Sequence, residues 1–121
     1  MLDDRSLAFL KRLLDAPGPS GFEQVPARLW RDEAGSFATV DVDVAGNSIA
    51  TINPKGTPRV MLAGHVDEIG VMVVHVDDDG FVHFGPIGGW DSQVLVGQRV
   101  TLEGRQGPVA GVVGKKAIHL V

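Results

Sequence analysis

The sequence predicts an α/β unit that runs into a small antiparallel β-barrel, with the junction near residues 69–71. Three observations carry this prediction. Apolar residues recur at helical spacing at the start of the chain. The period changes to two from Phe37 onward. After Gly70, two hairpin signals follow in quick succession. The expected organisation is therefore an α/β part over residues 1–70 and an incomplete β-barrel over residues 71–121.

The first element is a helix over Ser6 to Leu14. Leu7, Leu10, Leu13 and Leu14 share one face. Asp3 or Asp4 is placed to cap its start, where a carboxylate also suits the positive end of the helix dipole. Ala16-Pro17-Gly18-Pro19-Ser20-Gly21 then breaks the pattern. Ser20 and Glu23 have capping-box spacing, which predicts a second helix over about Phe22 to Glu33. Phe22, Val25, Leu29 and Trp30 supply its buried face. Pro26 falls just past the first turn of that helix, where its missing N–H predicts a kink.

Strands follow. Ala38 to Val44 alternates Val40, Val42 and Val44 with Thr39, Asp41 and Asp43, the pattern of a half-buried strand. Ala45-Gly46-Asn47 turns the chain and Ser48 to Ile52 returns it. After the turn Asn53 to Pro58, Arg59 to Ala63 is apolar on both faces, which predicts a central strand covered on both sides. Val71 to Val76, the turn Asp77 to Gly80 and Phe81 to Phe84 form the first hairpin signal. Gly85 to Trp90 is a glycine-rich loop. Arg99 to Glu103, the turn Gly104 to Gly107 and Val109 to Val113 form the second. The apolar tail Ala117 to Val121 predicts an unpaired edge that favours self-association.

Composition narrows the function classes. Hydrophobic residues at 44% and charged residues at 21% exclude a disordered chain. The net charge is −4 and the basic residues are scattered, so no nucleic-acid partner is expected; Lys115-Lys116 reads as a solvated strand end. Cysteine is absent, which excludes disulfides, zinc knuckles and a thiol nucleophile. The start is acidic rather than signal-like. No apolar run approaches the ~18–20 residues of a membrane span. A soluble, cytoplasmic protein without a membrane partner is the expectation.

Chemistry concentrates in Gly64-His65-Val66-Asp67-Glu68-Ile69-Gly70. Alternate residues of an extended segment face the same way, so His65 and Asp67 can converge. His65 can then offer one ring nitrogen to a metal, while Asp67 accepts the proton on the other and fixes the ring. Glu68 should point elsewhere, as a structural carboxylate or a group near the site. Adjacent carboxylates on extended backbone diverge, so Asp67 and Glu68 make a poor glycosidase pair. His75 and His83 can be cross-strand neighbours, and read first as exposed strand positions. The Gly85–Gly89 stretch lacks the sequel of a phosphate loop, and Asp77-Asp78-Asp79-Gly80 lacks the spaced ligands of a calcium loop.

A set of local motifs, in order, resembles the M42 metallo-aminopeptidases, the glutamyl aminopeptidases and TET-type peptidases. They are Ala16-Pro17-Gly18-Pro19-Ser20-Gly21-Phe22-Glu23, Asp43-Val44-Ala45-Gly46-Asn47, Val60 to Gly70, Gly85 to Trp90, and Gly111 to Leu120. The resemblance implies a cytosolic aminopeptidase acting on peptides with two divalent metal ions, zinc or cobalt, with manganese also suited to such ligands. It implies an aminopeptidase-type α/β catalytic domain interrupted by a β-barrel, and assembly as a homo-oligomer, a dodecamer in the complete parent. His65 would be a metal ligand. Asp67 would support it and count as catalytic. His119 falls in a matching motif without an assigned role. The family's general base and further ligands lie downstream of any residue here, so the chain looks like an N-terminal portion, inactive alone and weak in metal binding. The alternative from a different class is a non-catalytic oligomerisation or structural fragment with a relic metal-ligand motif.

Overall fold

The first helix, α1 (Asp4–Leu14), starts where its cap dictates: Asp3 accepts a hydrogen bond from the Ser6 amide at 2.7 Å. The bond holds the Asp3 carboxyl below the usual aspartate range. The structure is a computed structural model that describes residues 2–115. Helix α2 (Gln24–Ala34) begins later than its capping-box spacing predicts. Its N-cap is Glu23, whose side chain makes no cap bond; the Glu23 carboxylate accepts from the Gly21 amide instead. The late start also removes the reason to expect a kink. Pro26 is the third helical residue, inside the first turn, where backbone N–H groups have no intrahelical acceptor to lose. The buried positions of α2 are Pro26 and Ala34; Phe22 and Val25 stay exposed, contrary to expectation.

The strands pair as three antiparallel hairpins, each a separate two-stranded sheet. In the first, β1 (Thr39–Val42) pairs with β2 (Ser48–Thr51). β1 stops before Asp43 because that carboxylate closes the turn. It accepts from the Ala45 and Asn47 amides, both at 2.9 Å, and from the Asn47 side chain at 2.8 Å. Next, β3 (Gly70–Val76) pairs with β4 (Val82–Ile87), with a bulge between Val73 and His75. β4 absorbs Gly85, Pro86 and Ile87, so the expected glycine-rich loop is partly strand.

The central strand expected over Arg59 to Ala63 is not formed. Residues 59–67 belong to no helix or strand, and Val60, Met61 and Leu62 are 78%, 87% and 94% exposed. A strand needs a neighbour to complete its ladder, and among the described residues this segment has none.

The chain divides into two compact units, with the break between Gly88 and Gly89. The first unit holds α1, α2 and β1 to β4. The second holds one turn of 3-10 helix (Ser92–Leu95) and the hairpin of β5 (Arg99–Gly104) with β6 (Gly107–Val112). Within it, the Gly97 amide donates to the Val113 carbonyl at 2.8 Å and Val113 is buried. The architecture is thus a small α+β arrangement of antiparallel strands. Among the described residues the sheets do not close into a barrel, because the ladder ends with each hairpin. No described helix is long and apolar enough to cross a membrane. Lys116, His119 and the tail Ala117–Val121 lie outside the described residues.

Candidate metal-ligating site

Two loops meet to build the site. One is the Pro17–Ser20 stretch between the helices; the other is Val66–Gly70, which leads into β3. They touch through a parallel bridge between Pro19 and Glu68. The Glu68 amide donates to the Gly18 carbonyl at 2.9 Å, and the Ser20 amide donates to the Glu68 carbonyl at 3.3 Å. The Glu68 carboxylate accepts from the Gly18 amide at 3.2 Å. The Glu68 carboxylate thus ties the two loops together, which is the structural one of the two roles the sequence leaves open for it.

Small residues make this approach possible. Gly18 is buried, and a Cβ there would lie 2.7 Å from Pro26 Cγ and 3.5 Å from the Val66 carbonyl oxygen. Pro26 cannot yield easily, since its ring is fixed in the first turn of α2. A Cβ on Gly70 would likewise come within 2.9 Å of Pro19 Cβ. The motif Ala16-Pro17-Gly18-Pro19-Ser20 is thus the mould against which the His65 segment is set.

His65 and Asp67 converge as their spacing predicts. His65 Nδ1 lies 2.8 Å from Asp67 Oδ1 and 3.1 Å from the Asp67 carbonyl oxygen. Both neighbours are acceptors, so Nδ1 carries a proton, and in the neutral ring Nε2 is then the nitrogen that presents a lone pair. The His65 side chain is 83% exposed, and among the described residues Nε2 has no hydrogen-bond partner. The other oxygen of Asp67 accepts from the Ser20 hydroxyl at 2.6 Å. That bond is the main cause holding the Asp67 carboxyl below the usual aspartate range. Partial burial pushes the other way, and the His65 bond adds to the lowering.

Ser20 is the residue that sequence reasoning misplaced. Its spacing to Glu23 points to a capping role, but its hydroxyl reaches a carboxylate 47 residues away. The Glu23 carboxylate instead accepts from the Gly21 amide at 2.6 Å.

His75 and His83 do face each other across β3 and β4, with ring centroids 5.7 Å apart and planes tilted by 32°. His83 Nε2 lies 3.1 Å from Asp77 Oδ2. Asp77 Oδ1 accepts from the Asp79 and Phe81 amides at 3.1 and 2.8 Å, so the acidic turn is closed by its own backbone. This bears out its reading as a turn.

A metal ion fits the His65 donor in part. An imidazole with a carboxylate behind it and an open outer nitrogen has the form of one metal ligand. A four-coordinate centre draws three or four protein donors. Among the described residues no group of three or more His, Cys, Asp or Glu side chains is placed to hold an ion.

Comparison with known proteins places these features. The family model described as M42 glutamyl aminopeptidase matches residues 46–121. The lysyl aminopeptidase of Pyrococcus furiosus is 38% identical over 117 residues, an alignment that covers 92% of this chain and 32% of that protein. Among solved structures, a TET aminopeptidase from a marine sediment archaeon of the Thaumarchaeota superposes with a TM-score of 0.92 at 36% identity. It covers 98% of this chain and 34% of its own. The TET1 peptidase of Pyrococcus horikoshii, which can assemble into a tetrahedron or a large octahedral shell, gives 0.80 at 32% identity, with 94% of this chain and 34% of that chain covered. The chain spans about a third of the length of these relatives.

Proposed function

The chain belongs to the M42 glutamyl aminopeptidase family, and we propose that it supplies the first ligand element of a metal-dependent aminopeptidase that releases N-terminal residues from peptides. The observation that carries this reading is the 2.8 Å contact of His65 Nδ1 with Asp67, which leaves Nε2 open to solvent. His65 is the metal ligand through Nε2. Asp67 orients the ring and is assigned a catalytic role by likeness to the family.

Zinc or cobalt, with manganese also compatible, is the proposed cofactor, two ions per subunit in the complete site. When bound, such ions polarise the scissile carbonyl and lower the pKa of a bound water. This chain's own residues hold and aim one imidazole. Among the described residues no group of three or more potential ligands is placed to hold an ion, and this supports the proposal that the chain alone is inactive. We further assign residues 1–70 to the N-terminal part of the α/β metallopeptidase domain and residues 71–121 to an incomplete β-barrel insertion. A homo-oligomeric assembly is supported by the shells formed by the Pyrococcus horikoshii relative. A cytoplasmic location is supported by the absence of cysteine.

A cobalt titration followed by NMR tests the ligand role. Paramagnetic broadening should centre on the His65 ring, vanish in His65→Ala, and bring no metal-dependent release of N-terminal residues. Broadening centred on His75 and His83 instead, or turnover by the 121-residue chain, would overturn the reading. A second reading, a non-catalytic oligomerisation segment, draws on the exposure of Val60, Met61 and Leu62. It predicts self-association with no broadening at His65.

A further inference from the structure

We propose that Ser20 is a positioning residue of the candidate site, whose hydroxyl locks Asp67 so that His65 is held as the Nδ1-protonated tautomer with Nε2 presented. The inference deepens the metal-ligand reading and depends on it for its purpose. The hydrogen-bond relay itself can be tested without metal.

An aspartate carboxyl group turns easily about its terminal torsion, because that rotor is broad rather than three-welled. A single bond from His65 would leave Asp67 free to swing. Two donors on different oxygens remove that freedom: His65 Nδ1 at 2.8 Å on Oδ1 and Ser20 Oγ at 2.6 Å on Oδ2. Turning the carboxylate then breaks both bonds together. The Ser20 contact lies in the short range of a hydroxyl bonded to a charged oxygen, about 2.5–2.7 Å.

The hydroxyl has one proton to give, and the geometry shows where it goes. As a cap of α2 it would act as an acceptor, yet α2 has no side-chain cap bond at all. The backbone of Ser20 is fixed independently. Its amide donates to the Glu68 carbonyl, and the neighbouring Gly18 is tied to Glu68 through both amide and carbonyl. The loop pairing therefore does not need the Ser20 side chain. This separates two roles within one contact: Glu68 and Gly18 set the distance between the loops, and Ser20 sets the rotation of Asp67.

That separation gives the test. The His65 ring nitrogens are read by long-range ¹H–¹⁵N spectra of the metal-free 121-residue chain at pH about 8, above the ordinary imidazole range. Exchange of the Glu68 and Ser20 amides reports the loop pairing. The unaltered chain and Ser20→Thr should show a protonated Nδ1 and a bare Nε2. Ser20→Ala should shift His65 toward a mixture of tautomers while the Glu68 amide keeps its protection. Apparent affinity of the His65 site for cobalt should fall about 10-fold in Ser20→Ala, the lower end expected for loss of a group behind a metal ligand.

An unaltered chain that already shows the tautomer mixture would overturn the proposal. So would a Ser20→Ala spectrum unchanged from the parent. Loss of loop protection together with the tautomer, unrescued by threonine, would also overturn it, by making Ser20 a packing residue. If cobalt never reaches His65 but the tautomer responds as stated, the relay stands and the metal reading falls.

Discussion

The molecule holds two histidine–aspartate pairs whose direct contacts are nearly alike and whose surroundings are not. His65 meets Asp67 at 2.8 Å and His83 meets Asp77 at 3.1 Å. The second carboxylate oxygen tells them apart. In Asp77 it accepts from the Asp79 and Phe81 amides of its own turn. In Asp67 it accepts from Ser20, a side chain brought in from the loop before α2. The pairs also use opposite ring nitrogens. His83 gives Nε2 to its aspartate and faces His75, whereas His65 gives Nδ1 and turns Nε2 outward. A local turn can order a His–Asp pair as a by-product of closing itself. A pair braced by a distant segment has no such local purpose, which is why the functional reading is placed on His65.

The sharpest way to break this contrast is Gly18→Ala. The added Cβ would meet Pro26 Cγ at 2.7 Å, and overpacking of this kind costs about 1–3 kcal/mol. The loop bridge should open, with faster exchange at the Glu68 and Ser20 amides and loss of order at His65. The β3–β4 turn should be untouched. Equal loosening at Phe81 would mean that the two pairs are not independently supported.

Asp77→Ala probes the other side and should act over a shorter range. It removes the acceptor for two turn amides and the partner of His83. Exchange should quicken at Asp79 and Phe81 and the His83 ring should become more mobile, with His65 unchanged. A change in the His65 ring signals would show a coupling between the pairs.

The same local-versus-distant distinction decides what could be read from the sequence. An acidic cap of α1 at Asp3 or Asp4, the alternation that brings His65 to Asp67, and the cross-strand meeting of His75 and His83 were all legible. Each depends on residues within a few positions or on a hairpin register. The start of α2 was not. The spacing of Ser20 and Glu23 carries only local information, while the Asp67 carboxylate that accepts from the Ser20 hydroxyl and the Gly21 amide that donates to the Glu23 carboxylate are set by the folded loop. Arg59 to Ala63 failed for a related reason. Its apolar pattern records what a strand would bury, but a ladder also needs a neighbour, and among the described residues none lies beside it. The M42 resemblance was legible because its motifs are contiguous runs, and the family match bears it out.

The smallest expected effect is the acid response of the Asp77 turn. Its carboxyl is held below the usual aspartate range, first by His83 and then by the Phe81 amide, with partial burial opposing. A carboxylate whose folded pKa is depressed stabilises the fold at pH above its unfolded value. That contribution is lost as pH falls through the depressed folded value. The Asp79 and Phe81 amide shifts should therefore stay constant as the pH drops into the ordinary aspartate range and move only below it. In His83→Ala the transition should shift upward toward the ordinary value, because the largest lowering cause is gone. If the transition stays in place, the Phe81 and Asp79 amides alone hold the charge. Asp77 would then be a turn residue that His83 merely visits, which widens the contrast with Asp67, whose carboxylate is held chiefly by the distant Ser20.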